Sequence, residues 1–112
     1  MFIIDDMNIT LTRGDSAYLE VSFDGDLPGD GDLVVMSLKN SPRDKIPRWE
    51  KSGECDGEGK IVFTILPEDT ARLPFGQYAW DLRIFYADGQ VTTPFAPKVF
   101  KIAEAVTNDR EP

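Results

Sequence analysis

Histidine is absent from this chain, and cysteine occurs once, at Cys55. Without histidine the commonest general base and metal ligand is missing, which excludes Ser-His-Asp and Cys-His catalysis and every His-containing zinc site. A single cysteine closes no internal disulfide and builds no thiolate cage, and it suits a reducing compartment of assembly. The acidic neighbours Glu54 and Asp56 oppose thiolate formation at Cys55, so it is not read as a nucleophile. No apolar run approaches the roughly eighteen residues that span a bilayer. The opening Met1-Phe2-Ile3-Ile4 meets Asp5-Asp6 with no basic region before it, so no secretory signal is predicted. No basic cluster offsets a net charge of −8, and nucleic acid and anionic membrane are excluded as partners.

What the chain does contain is one domain's worth of alternating apolar residues. Its 112 residues are 41% hydrophobic, enough for a single core. A single domain is expected over 1–106, with 107–112 as a frayed tail. The period is two throughout. Ile9 and Leu11 alternate with threonines, Ala17, Leu19, Val21 and Phe23 follow, and Val34, Met36 and Leu38 resume the pattern after a Gly/Asp-rich loop. Asn40 to Pro47 reads as a crossover loop before a short strand at Trp49, and Ser52 to Gly59 as a hairpin tip holding Cys55. Ile61, Phe63 and Ile65 form the next inward row. Pro67 to Thr70 predicts one helical turn, with proline first and carboxylates early.

The strongest strand places Tyr78, Trp80, Leu82, Ile84 and Tyr86 on one face and Ala79, Asp81, Arg83 and Phe85 on the other. Asp88-Gly89 then predicts a tight type I′ hairpin turn, and Val91 to Thr93 returns antiparallel. Phe100 and Ile102 close the last strand, a segment interrupted by Pro94 and Pro97 that is expected to be a sheet edge. About seven short strands at this spacing predict an all-β, antiparallel, immunoglobulin-like β-sandwich. Its core is expected to hold Leu19, Val21, Val34, Met36, Ile61, Phe63, Tyr78, Trp80, Leu82, Ile84, Phe100 and Ile102. Tyr78, two residues before Trp80, matches the tyrosine corner of such domains, in which the hydroxyl bonds backbone across the turn.

Candidate sites are few. Arg13-Gly14-Asp15 is the tripeptide that integrins read, but it falls between two alternating runs where glycine and aspartate build a turn, and the turn reading is preferred. Asp24, Asp26, Asp30 and Asp32 suggest a calcium loop. The EF-hand spacing counted from Asp24 fails at Pro28 and Val35, leaving a weak calcium site of another kind as the alternative to a solvated turn. Glu68 and Asp69 adjoin on a turn and do not flank a common substrate atom. No catalytic, cofactor-binding or metal-ligating residue is assigned, and no cofactor. Two aromatics are candidate partner contacts. Trp49, on a weak strand beside prolines, would be a platform for a protein or a sugar ring. Phe95, flanked by prolines, would be an apolar anchor or would fold back as a core cap.

Three stretches carry a family resemblance. Ile9-Thr10-Leu11-Thr12-Arg13-Gly14-Asp15, Gly31-Asp32 opening the third strand, and Leu73-Pro74-Phe75-Gly76-Gln77-Tyr78-Ala79-Trp80-Asp81 before the Asp88-Gly89 hairpin resemble small proteins of phages and prophages of Gram-positive bacteria. They are similar to the N-terminal domain of the upper baseplate protein of tailed phages, from about Ile3 to Val106. The resemblance implies an all-β module that docks on the tail. It therefore implies a non-enzymatic structural or adaptor role in a phage or prophage tail, assembled in the bacterial cytoplasm and located in the virion. Its partners would be other tail and baseplate proteins, with a homo-oligomer among the possible states. The alternative is a carbohydrate-binding β-sandwich for host-surface recognition.

Overall fold

A computed structural model describes residues 1–22, 31–55 and 60–104, with Cys55 described by its backbone alone. In chain order the elements are β1 (Phe2–Asp5), β2 (Asn8–Thr12), β3 (Ala17–Ser22), β4 (Leu33–Lys39), β5 (Trp49–Ser52), β6 (Glu54–Cys55), β7 (Lys60–Ile65), α1 (Pro67–Ala71), β8 (Gly76–Phe85), β9 (Val91–Thr92) and β10 (Lys98–Ala103). They form two sheets. The larger runs β1-β2-β10-β8-β4-β5, with β9 also on β8, and the smaller runs β3-β7-β6. The expected tail at 107–112 and the last residues of the 1–106 domain lie outside the described residues.

The all-β class holds, but the large sheet is mixed. β2 and β10 pair in parallel, Ile9 opposite Phe100 and Leu11 opposite Ile102, whereas the other pairs are antiparallel. A parallel pair needs only a long connection, and nearly the whole chain lies between these strands. Period-two alternation is identical for both orientations, so it carries no signal of this. The last strand is consequently not an edge. Pro94 and Pro97 precede Lys98, every residue of β10 keeps its N–H, and β10 is bonded on both sides. The strand path of the large sheet ends at β1 and β5, and β9 is paired to β8 alone.

Three further expectations are corrected. Residues 40–47 do not cross between sheets, because β4 and β5 are antiparallel neighbours, Leu38 opposite Trp49. The chain changes sheets at Gly53, between β5 and β6, and the Cys55 backbone lies in a strand rather than in a hairpin tip. Gly53 donates its N–H to Val34 O at 2.8 Å. A methyl there would overlap the Ile61 Cγ2 methyl and sit 2.8 Å from Phe63 Cζ, so only glycine passes between the sheets at this point. The Asp88-Gly89 turn is not type I′. Phe85 pairs with Val91 and the Tyr86 N–H reaches Gln90 O, which leaves a three-residue loop whose one left-handed residue is Gly89, at φ 95°. Asp88 keeps negative φ, and its carboxylate accepts the Gln90 N–H at 3.0 Å.

All twelve expected core residues are buried, together with Ile9, Leu11, Ala17, Leu38 and Ile65. The strict alternation of β3, exposed at Tyr18, Glu20 and Ser22, shows how the period sets the two faces. Trp80, Phe63 and Phe100 are the largest fully buried side chains, each worth about 1.5–3 kcal/mol of transfer free energy. Helix α1 has proline at its first turn as expected. The Asp69 carboxylate accepts the Leu66 N–H at 2.7 Å while the Asp69 N–H bonds Leu66 O, a reciprocal cap. Tyr78 Oη donates to Pro74 O at 2.7 Å, closing the corner ahead of β8.

Candidate functional site

At one end of the sandwich, Arg13-Gly14-Asp15 is occupied structurally. The Asp15 N–H closes the turn on Thr12 O at 3.0 Å, and Gly14 takes φ 86°. The Gly14 N–H donates to Oγ1 of the buried Thr70 at 2.9 Å. The Arg13 guanidinium reaches Leu73 O at 3.4 Å and lies 4.0 Å over the Phe75 ring. The Asp15 carboxylate pairs with the amino terminus. The tripeptide therefore joins the β2–β3 turn to the segment after α1, two of the stretches that carry the family resemblance.

Trp49 is half-buried and engaged inward. Its Nε1 donates to Asp69 O at 3.1 Å, its ring meets Phe100 edge-on at 6.3 Å, and Lys51 Nζ lies 5.4 Å from the ring centroid. Lys51 also pairs with Asp69 at 2.7 Å. Asp69 thus ties α1 to β5, and Glu68 shares none of these contacts. Phe95 is half-buried with its ring 5.4 Å from that of Trp80, at 70°, the geometry of a core cap. Trp49 thus packs on Phe100, and Phe95 on Trp80.

Among the described residues no group of three His, Cys, Asp or Glu side chains could hold a metal. Asp24, Asp26 and Asp30 lie outside those residues. Asp32 is described, and its Oδ1 accepts the Ala87 N–H at 2.9 Å, which fixes the start of β4 against the β8–β9 turn. No described helix is long and apolar enough to cross a membrane. A concavity of about 640 Å³ lies along the 40–48 loop between Asn40, Asp44, Lys45, Ile46, Pro47 and Arg48, none of which is a hydroxyl or thiol nucleophile. Further along the large sheet, Ser37 Oγ donates to Glu50 Oε2 at 3.3 Å in a cleft of about 90 Å³ shared with Lys39, Lys45 and Arg83. Ligand pockets run to roughly 300–1,000 Å³, so this cleft is too small for a substrate. Asp81, opposite Ser37 and 8% exposed, keeps Oδ1 without a hydrogen-bond partner.

The outer face of the large sheet carries the feature best suited to contact. Leu33 pairs with Phe85 and Phe85 with Val91, so three apolar side chains cross β4, β8 and β9 in one row. They are 44%, 36% and 50% exposed. Half-buried Val35 continues the row beside Arg83. Sequence reasoning placed Phe85 on the outward phase and weighed it as an aromatic platform, but kept only Trp49. The available signal was a phenylalanine on the solvent side of the strongest strand; its alignment with Leu33 and Val91 depends on register, which periodicity does not give.

No family model matches the chain, and no curated protein matches it either.

Proposed function

We propose that this domain is a non-enzymatic, immunoglobulin-like adaptor of a phage or prophage tail baseplate, acting by protein–protein contact within the virion. The strand order supports the immunoglobulin-like assignment. In the lettering of that fold, β2-β10-β8-β4-β5 follow A′-G-F-C-C′ and β3-β7-β6 follow B-E-D, with the tyrosine corner ahead of strand F. The observation that carries the contact reading is the exposed row Leu33, Phe85 and Val91 on the outer face of the large sheet. A regular sheet presents it rigidly, so docking costs little ordering entropy, and an aromatic flanked by aliphatics is the composition of an interface centre.

Resemblance to baseplate proteins supplies the partner class, and the stretches Ile9–Asp15 and Leu73–Asp81 that carry it meet at one end of the sandwich through Arg13, Leu73 and Phe75. The carbohydrate reading rested on Trp49, whose ring is turned inward and covered by Lys51. Size-exclusion chromatography with the tail proteins encoded beside this chain tests the proposal, run in parallel with a glycan array. Co-elution with a tail protein and a silent array are expected. Glycan binding without co-elution would replace the adaptor with a lectin-like module.

A further inference from the structure

Open strand edges invite indiscriminate pairing, and folded proteins blunt them with charge or proline. Three edges of this sandwich follow that rule: β5 carries Glu50 and Lys51, β3 carries Glu20, and β6 carries Glu54. β1 does not. Phe2, Ile3 and Ile4 occupy its length with no charge before Asp5. Ile3 and Ile4 point to opposite faces and are 50% and 42% exposed, while Phe2, on the Ile4 face, is half-buried against the core.

We propose that β1 is a self-association edge, on which a second copy of this chain lays its own β1 antiparallel across a two-fold axis. The large sheets of two molecules then become one continuous sheet. This extends the adaptor reading without depending on which tail protein the domain meets.

The hairpin fixes which backbone groups are free. β1 and β2 are joined by the two-residue turn Asp6-Met7, with Asp5 opposite Asn8. A two-residue loop closes on a hydrogen-bonded pair, and such pairs alternate along the ladder. The Thr12 N–H bond to Met1 O, 2.9 Å, lies on the same alternation. Met1, Ile3 and Asp5 are therefore bonded to β2, and the N–H and C=O groups of Phe2 and Ile4 point away from the sheet.

A two-fold axis normal to the sheet keeps each face on its own side, so a residue can pair only with one of its own parity. Centring the axis on Ile3 sets Phe2 opposite the partner's Ile4 and Ile3 opposite the partner's Ile3. Each outward-pointing Phe2 then exchanges hydrogen bonds with an outward-pointing Ile4. Charge disfavours every register shifted from this one towards Asp5. With the axis at Ile3 the two Asp5 carboxylates stand about 14 Å apart along the strands, beyond the screening length of about 8 Å. Centred on Ile4, they approach to about 7 Å and each falls opposite an isoleucine. Centred on Asp5, they oppose each other directly. The acidic end of the strand thus guards against slippage while the apolar part is self-complementary.

Sedimentation of the purified chain from micromolar to millimolar concentration tests the proposal. The weight-average mass should rise from 12.5 kDa towards twice that value. Ile3→Lys and Ile3→Glu should each remain monomeric, because each sets like charges face to face on the axis. Their equimolar mixture should recover association, since lysine then opposes glutamate. An unfolded variant could not produce that rescue, and half-exposed Ile3 leaves folding intact. A wild type monomeric at millimolar concentration, an Ile3→Lys variant associating as wild type does, or a mixture no better than its components would overturn the proposal. None of these results touches co-elution with a tail protein, which is read between different chains.

Discussion

Replacing Gly53 with alanine forces a methyl group into the point where the chain passes from β5 of the large sheet to β6 of the small. The added Cβ would overlap Ile61 Cγ2 and lie 2.8 Å from Phe63 Cζ and 3.0 Å from Phe63 Cε1. Neither neighbour can yield cheaply, since both side chains are buried in the core. Backbone retreat is opposed as well, because the Gly53 N–H is bonded to Val34 O. Overpacking in such cores costs about 1–3 kcal/mol, and with two fully packed neighbours the upper half of that range, about 2–3 kcal/mol, is expected. For a domain of this size that lowers Tm by roughly 10–15 °C. Urea unfolding followed by tryptophan fluorescence should show a lower midpoint at unchanged slope. A double-mutant cycle isolates the cause: Ile61→Ala alone costs about 2–5 kcal/mol, but in the Gly53→Ala background the two losses should fall short of additivity by about 1 kcal/mol or more. A Gly53→Ala loss below about 0.5 kcal/mol, or strict additivity, would refute the claim that this glycine is required by space.

Three other perturbations follow from named contacts. Trp80→Ala should cost about 3–5 kcal/mol in denaturant titration, because it empties a fully buried site and frees Met7 O from the Nε1 bond of 2.9 Å. Tyr78→Phe removes only the hydroxyl bonded to Pro74 O and should cost about 1–2 kcal/mol with far-ultraviolet circular dichroism unchanged; a neutral result would remove the tyrosine corner from the account. Asp6 and Met7 hold φ 50° and 67° in the β1–β2 turn, so Asp6→Asn should raise stability by about 0.5 kcal/mol, seen as a Tm increase of a few degrees.

What the sequence made legible was the assignment of residues to faces. Alternation marked Trp80, Leu82 and Ile84 as inward and Phe85 as outward, and the spacing of Tyr78 and Trp80 announced the corner, because local backbone geometry forces both. Orientation and neighbour order were not legible. Nothing in Ile9, Leu11, Phe100 or Ile102 distinguishes a parallel from an antiparallel ladder, and prolines just outside β10 suggested an edge that the strand itself does not form. The β1 hairpin escaped notice because Asp6-Met7 lacks the usual Asn-Gly signature. Its left-handed methionine is held by tertiary contact, with Met7 O bonded to Trp80 Nε1. The same reason hid the outer-face row. Its members are far apart in sequence, and only the registers Leu33–Phe85 and Phe85–Val91 bring them together.

The central claim is that this domain works by docking the outer face of its large sheet onto a tail protein. Its most direct test is a binding titration of that protein with wild type and with Phe85→Asp. Phe85 is 36% exposed, so the substitution leaves the fold standing, as an unchanged urea midpoint would verify. The account predicts that wild type binds and that Phe85→Asp binds roughly thirtyfold more weakly, the loss expected for a central aromatic anchor. Equal affinity of the two proteins, or no binding of wild type to any tail protein encoded beside it, would contradict it.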